Sequence, residues 1–266
     1  MSTKQIVKTA ARVCGAMVLP AIVAANVNAQ DFYVSGSIGT SSADNPVNAG
    51  SFSSEFTTGE VTGVSPPLTL PAGTPVGWNT KLDDGTFFSI AGGLKTELFR
   101  YEIEYSAADY DVESHAGVTA GGILLDPIDV GVLLSGNVGD IGVSVGDFVA
   151  AGQGSIDTST FFVNAYYDFM RDSAFSPYVG VGIGNMSVDV DYSPSATEII
   201  NDDDSVFVYQ LILGVSYSIN DAVEVYGNYR YRDGDDASVT ASLIPATFDI
   251  EGNSSDTFEV GLRYSF

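Results

Sequence analysis

The sequence of 266 residues has little cysteine, few basic residues and no long apolar run after its amino terminus. Its one cysteine, Cys14, lies in the leader-like first segment, so the remainder has no thiol for a disulfide or a thiolate metal site. No later stretch approaches the roughly 18 to 20 consecutive apolar residues that a membrane-spanning helix needs. A membrane form of this chain has to be a closed β-barrel, because only helices and closed barrels satisfy their backbone polar groups in hydrocarbon.

The amino-terminal segment has the pattern of a secretory signal peptide. Three basic residues are followed by an apolar run that begins at Val13 and by a small-residue cleavage site that ends at Ala29. An uncleaved membrane anchor is the alternative, but Pro20 interrupts a run that is already short for a span. We therefore predict that residues 1–29 are removed and that residues 30–266 form one outer-membrane β-barrel domain.

Removal of this leader makes the remainder more acidic. The leader holds three of the ten basic residues and none of the 34 acidic ones, so the rest of the chain has a formal net charge of −27. A charge of this size repels nucleic acid and anionic membrane surfaces. The sequence predicts no nucleic-acid partner and is compatible with surroundings rich in divalent cations.

Apolar and polar residues alternate with a period of two in eight segments of about ten residues, the length of a tilted transmembrane strand. A half-buried soluble strand would show the same alternation. Here the apolar set is rich in aromatic residues and the opposite set carries charges of both signs, which is typical of a membrane barrel. The clearest segment sets Phe99, Tyr101, Ile103 and Tyr105 against Arg100, Glu102 and Glu104.

The connections between these segments alternate in length. Short links near residues 95–97, 171–176 and 219–221 separate much longer ones. This asymmetry predicts an all-β fold, an eight-stranded antiparallel up-and-down transmembrane β-barrel with short periplasmic turns and long extracellular loops. Residues 121–151 are apolar enough to supply two more strands, so ten strands is the alternative. Pro127 favours an external hairpin or a folded loop there instead.

Five stretches of the chain carry a family pattern: TFFVNAYYDF, SPYVGVGIG, VYQLILGVSYSI, VEVYGNYRYRD and the terminal FEVGLRYSF. Together they resemble the eight-stranded outer-membrane β-barrel family of opacity-type proteins and bacterial surface antigens, with OmpA- and OmpX-type barrels as more distant relatives in shape. The resemblance covers most of residues 158–266 and, more loosely, residues 31–108. It implies a Gram-negative outer-membrane protein without a cofactor or a catalytic set, whose function depends on its loops.

The resemblance also implies partners. In that family a last strand that ends in an aromatic residue is similar to the signal read by the barrel assembly machinery, so Tyr264 and Phe266 are implied to have that role. It further implies a monomer surrounded by outer-membrane lipid, with a host or envelope partner bound through the loops.

Eight charged residues on the polar faces of the predicted strands form a candidate lumen network: Arg100, Glu102, Glu104, Asp168, Glu224, Arg230, Glu259 and Arg263. An ion-conducting lumen is one interpretation. The other is a set of ion pairs that fills a barrel only wide enough for side chains. We expect the second, because eight strands leave little open space and both signs occur on neighbouring strands.

Candidate catalytic and metal-binding residues are few. His115 is the only histidine, and we expect it in the second long loop, where the sequence identifies no carboxylate to orient the imidazole; its neighbour Ser114 would point to the opposite face if the two were in a strand. The acidic runs at 202–204 and 233–236 lack the ligand spacing of a calcium loop, so we expect solvated loop tips with at most weak divalent-cation binding. The sequence predicts no enzyme, cofactor or metal site. It favours a structural, surface-interaction or adhesion role, with a small porin as the alternative and a membrane-embedded hydrolase as a third class.

Overall fold

The computed structural model describes residues 32–64, 66–97, 99–170 and 173–266, and the predicted signal peptide lies outside this part. No helix in the described residues is long and apolar enough to cross a membrane. The described helices are two 3-10 helices, Val130–Leu133 and Pro194–Ala196, and one α-helix, Val145–Val149. The described strands number fifteen: β1 Phe32–Ala43, β2 Val47–Phe52, β3 Phe56–Thr57, β4 Thr69–Leu70, β5 Pro75–Leu82, β6 Gly85–Lys95, β7 Phe99–Ala120, β8 Ile123–Leu124, β9 Gly154–Asp168, β10 Phe175–Tyr192, β11 Ile200–Ser218, β12 Val223–Gly234, β13 Ala237–Thr240, β14 Ala246–Glu251 and β15 Ser254–Ser265.

Eight of these strands pair into a closed antiparallel ring, in the order β1, β6, β7, β9, β10, β11, β12 and β15. The ring closes where β15 pairs with β1, with Tyr33 opposite Ser265. The predicted all-β antiparallel architecture is confirmed. The total number of strands differs from the prediction, since the described residues contain seven further short strands in segments that we expected to be loops.

The ring continues beyond its first section into a second one, here called the distal half. Strands β7, β9, β10 and β11 extend into it, and β5, β2, β14 and β13 add in that order from the free edge of β7. Two carboxylates hold β13 against β11, because Asp204 and Asp202 accept the backbone N–H groups of Ser238 and Thr240, each at 2.9 Å. A backbone bridge between β11 and Ala241 completes the contact.

The two sections have opposite polarity, and β7 shows this along a single strand. Its outward side chains begin with Phe99 and Ile103, each nearly half exposed, and continue with the exposed Asp109 and Asp111. Its inward side chains change in the reverse sense, from buried charges to apolar groups such as Val112. The first section, here called the belt half, has the pattern of a membrane barrel, and the distal half has the pattern of a barrel in water.

The segment 121–151 folds into the distal half and adds no strand to the ring of eight. Val132, Val145 and Val149 are buried in the distal core. Asp126 accepts the backbone N–H groups of Gly117 and Val118 at 3.0 and 2.8 Å, which fastens the segment to β7. The expected folded loop is what the structure shows, and the ten-strand alternative is wrong.

Four inward tyrosines of the belt half each lie across a glycine on the neighbouring strand. Each pair is directly opposed in the strand register: Tyr33 with Gly93, Tyr166 with Gly180, Tyr178 with Gly214 and Tyr226 with Gly261. A Cβ at any of these glycines would lie 2.3 or 2.4 Å from the tyrosine ring. The narrow lumen therefore holds four phenol rings because the positions beneath them carry no side chain.

This arrangement predicts different effects on stability when two adjacent glycines of β6 are replaced by alanine. In Gly93→Ala the new methyl meets the Tyr33 ring at 2.3 Å, and we expect a loss of about 1–3 kcal/mol because Tyr33 is itself buried. In Gly92→Ala the methyl meets nothing within 4 Å, and we expect no loss. Urea unfolding of the two variants in lipid vesicles measures the difference. Equal midpoints for the two variants would contradict the packing described here.

Candidate functional site

The interior of the belt half is filled by ion pairs that span the barrel. Arg230 on β12 donates from Nη1 to Glu104 on β7 and from Nη2 to Glu259 on β15, each at 2.7 Å. Arg232 reaches the same Glu104 carboxylate at 3.4 Å. Strands β7 and β12 are four positions apart in the ring of eight, so these contacts cross the whole lumen.

Two further predicted carboxylates of the lumen, Asp168 and Glu102, also accept hydrogen bonds from inward side chains. Arg100 donates from Nε to both carboxylate oxygens of Asp168, at 3.0 and 3.1 Å. Glu102 accepts hydroxyl hydrogen bonds from Tyr33 and Tyr166, each at 2.9 Å. Each carboxylate thus meets hydrogen-bond donors inside the barrel, as a buried charge requires.

Glu224 holds the end of the network at the short turns. Lys95 and Arg263 each contact its carboxylate at 2.5 Å. The side chains of Lys95 and Glu224 keep 19% of their surface exposed, since the lumen meets water at this end. All eight charged residues of the candidate network therefore lie on the inner face of one barrel and are bound there.

The centre of this network leaves no space for water. Arg100, Glu104 and Arg230 expose 1%, 0% and 2% of their surface, so no water-filled path runs beside them. Aromatic rings occupy the remaining room. The Arg100 guanidinium lies 4.4 and 4.7 Å from the ring centres of Tyr166 and Tyr178, within the range of cation–π attraction.

Several neutral members of the interior are missing from the sequence-based list. Gln210 donates to Asn164 at 2.8 Å and accepts from both Arg230 and Arg232 at 3.2 Å. These residues, like the inward tyrosines, lie in the same alternating phase as the predicted charges. That phase was the available signal, and selection of charged residues alone overlooked them.

The distal half contains an apolar cavity of about 140 Å³ around Trp78. His115, at its wall, is in β7 rather than in the loop that we expected, and it is buried. Its Nδ1 shares a 2.8 Å hydrogen bond with Thr80 Oγ1, and its ring meets the Tyr192 ring edge-on at 4.7 Å. Burial lowers the pKa of His115 to about 4, so the imidazole is neutral at pH 7.

This setting differs from a hydrolytic site. The orienting partner of His115 Nδ1 is a threonine hydroxyl, whereas a hydrolase triad uses a carboxylate there. Ser114, on the same strand, lies opposite Lys81 in the register, away from the cavity wall. The residues do not form a nucleophile–base pair.

The acidic runs are only in part the solvated loop tips that we expected, since Asp235 and Asp236 are exposed in the link between β12 and β13 whereas the run at 202–204 lies in a strand. Asp202 and Asp204 belong to β11 and bind the backbone of β13, and Asp233 accepts the Tyr209 hydroxyl at 2.8 Å. Within the described ranges no group of three or more histidine, cysteine or acidic side chains is placed to hold a metal ion. Asp202 and Asp204 therefore serve the contact between β11 and β13.

A ring with an apolar exterior, a charged interior and a folded distal half defines an outer-membrane β-barrel protein. The chain matches the family model described as outer membrane protein beta-barrel domain over residues 12–266, and it belongs to that family. It is a protein of the cell outer membrane. The resemblance seen in the sequence is thereby confirmed.

Among curated proteins, the chain is similar to the outer membrane protein PagN of Salmonella typhimurium, with 23% identity over 126 residues, 43% of this chain and 52% of PagN. The chain therefore spans about half the length of that relative. Among solved structures, OprG from Pseudomonas aeruginosa has a TM-score of 0.52 and 16% identity, covering 88% of this chain and 95% of OprG. Neisserial surface protein A has a TM-score of 0.45 and 16% identity, covering 89% and 97%. At 16% identity the structural likeness to OprG shows the fold alone.

The ion pairs predict a strong effect of Arg230→Met. This change leaves Glu104 and Glu259 with less compensation in a buried interior, and we expect a loss of about 3–5 kcal/mol. The matched control is Lys81→Met, because the Lys81–Glu113 pair is exposed and contributes little. The urea midpoints of the two variants in lipid vesicles are compared, with the folded fraction measured by heat-modifiable migration on gels. An Arg230→Met midpoint equal to that of the control would contradict the role given to this arginine.

Proposed function

We propose that this protein is a non-enzymatic, monomeric outer-membrane barrel that acts through its folded distal half as a surface-interaction or adhesion protein. The ring of eight strands is the membrane-spanning unit in this proposal, and the distal half faces the outside of the cell. Similarity to PagN, an outer membrane protein, is consistent with a role at the cell surface.

One observation carries the interaction role. The part of the distal half between residues 123 and 143, here called the exposed apolar segment, presents large apolar side chains to water although it lies beyond the belt. Clusters of exposed apolar side chains mark interaction surfaces, whereas single exposed apolar residues are ordinary on the surface of any protein. The side chains are Ile123, Leu124, Leu134, Val138, Ile141 and Val143, which are 37–82% exposed.

The same segment carries the test of this role. Its buried valines stabilise the distal core, so deletion of the segment would unfold the distal half. Point substitutions of exposed residues test the interaction without that effect. Val138 is 82% exposed and Ile141 is 47% exposed. We expect the double variant Val138→Asp/Ile141→Asp to reduce adhesion several-fold, because the contact loses apolar area and gains charge.

Gram-negative cells that display the protein, applied to cultured animal cells, provide the measurement. Ser135→Asp is the matched control, since it adds a charge in the same segment without removing an apolar side chain. Surface amount is checked by heat-modifiable migration. Adhesion no greater than that of cells without the protein would count against the proposal.

A small porin is the competing function, and the closed interior argues against it. Arg230, Glu104 and Glu259 join strands across the lumen and are at most 4% exposed. We expect no discrete conductance in planar bilayers, because an ion would have to displace these pairs. Arg230→Ala/Arg232→Ala is the positive control, since it removes the side chains that cross the lumen. Stable single-channel steps from the unaltered protein would support the porin instead.

The last strand fits the assembly role implied by the family resemblance, which we extend to this chain as a proposal. Tyr264 and Phe266 are 48% and 60% exposed on the outer face, and their rings meet at 5.3 Å. The backbone N–H of Phe266 donates to the carbonyl of Phe32 at 3.1 Å, which places this end at the closing seam of the ring. The partner in this proposal is the barrel assembly machinery.

A further inference from the structure

The cavity of the distal half is formed by segments that are distant in the sequence. β2 contributes Phe52, β5 contributes Trp78 and β7 contributes Val118. Segment 121–151 contributes Val132, and the connection between β10 and β11 contributes Ile199. A space surrounded by so many elements is a defined feature of the folded distal half.

Water is a poor occupant of this space. A water molecule needs two to four polar partners, and the wall is almost entirely carbon. Thr58 Oγ1 is already bonded to the backbone N–H of Leu68 at 2.9 Å, and His115 Nδ1 is bonded to Thr80. His115 Nε2 and the Tyr192 hydroxyl are left, both buried and without a hydrogen-bond partner among the described residues, while the remainder of the wall is carbon. An apolar molecule in this space would contact carbon over most of its surface.

The size and the entrance of the cavity limit its occupant. Its volume of about 140 Å³ is close to the roughly 150 Å³ of an apolar protein cavity that stays dry and binds benzene. Leu68 and Ile123 at the wall are 52% and 61% exposed, so the cavity is reached from the distal surface.

The opposite side of the cavity is closed. Beyond it, towards the belt half, the Arg232 guanidinium lies 4.8 and 5.0 Å from the ring centres of Phe87 and Phe162. Arg232 itself is 4% exposed. A molecule that enters from outside the cell therefore meets the filled lumen and has no open path through the barrel.

We propose that this cavity binds one small apolar molecule of about the size of a single aromatic ring, taken from the outside and held without passage through the barrel. The cavity shares Ile123 with the exposed apolar segment, but Val138 and Ile141, whose substitution tests adhesion, do not line it, so this binding does not depend on the proposed adhesion.

The one tryptophan of the chain provides the measurement, since Trp78 lines the cavity. The probe is bromobenzene, a benzene-sized molecule whose heavy atom quenches tryptophan fluorescence. With the whole barrel in lipid nanodiscs, we expect quenching of the Trp78 fluorescence that saturates as the bromobenzene concentration rises. Ala120→Leu fills part of the cavity and should weaken binding at least tenfold, whereas the control Ala150→Leu makes the same change at an exposed position and should bind as the unaltered protein does.

A second variant keeps the test decisive if Ala120→Leu fails to fold, as judged by heat-modifiable migration. Val132→Leu adds one methylene to the wall and should weaken binding several-fold. The Val138→Asp/Ile141→Asp variant should still bind the probe, which separates this result from the adhesion result. Quenching that rises linearly and equally in all these proteins would reflect partition into lipid and would overturn the proposal.

Discussion

The structure depends on a change of solvent along continuous strands. A strand such as β7 crosses from hydrocarbon into water, and the side of the barrel that must be apolar changes at that point. The belt half turns Phe99 and Ile103 outward and charges inward, whereas the distal half turns Asp109 and Asp111 outward and packs Val112 inward. The ion pairs, the distal core and its cavity all follow from this inversion. The belt half, surrounded by lipid, buries charged side chains, and the distal half, surrounded by water, buries apolar ones.

The same inversion explains what the sequence could predict. In the belt half the alternation is unbroken, so the strands of the ring and eight of the lumen charges could be located from the period of two, although Lys95 and Arg232, which also lie in the lumen, were not selected. At Ala107 and Ala108 of β7 the apolar positions move to the other phase, so the alternation that begins at Phe99 ends there although the strand continues to Ala120. His115 was therefore placed in a loop. The pairing of Asp202 and Asp204 with β13 could not be predicted, since it depends on residues almost forty positions apart.

The closed interior depends on size as much as on charge. Each inward tyrosine needs the glycine opposite it, and the guanidinium groups then lie against the phenol rings, as Arg100 does between Tyr166 and Tyr178. The side-chain carbonyl oxygen of Gln210 accepts hydrogen bonds from both Arg230 and Arg232. A buried network of this kind is stable only when its members are satisfied together, and this barrel satisfies its carboxylates with partners from opposite walls.

Five of the six basic residues in the described ranges point into the lumen, and Lys81 alone lies on the outside. The exterior of the distal half is consequently a polyanion, on which Asp109, Asp157 and Asp189 face one another across adjacent strands. Like charges in direct opposition repel, and copies that share a membrane also repel one another over roughly a Debye length of 8 Å. Mobile cations around the distal half therefore screen this repulsion, and its range shortens as the ionic strength rises.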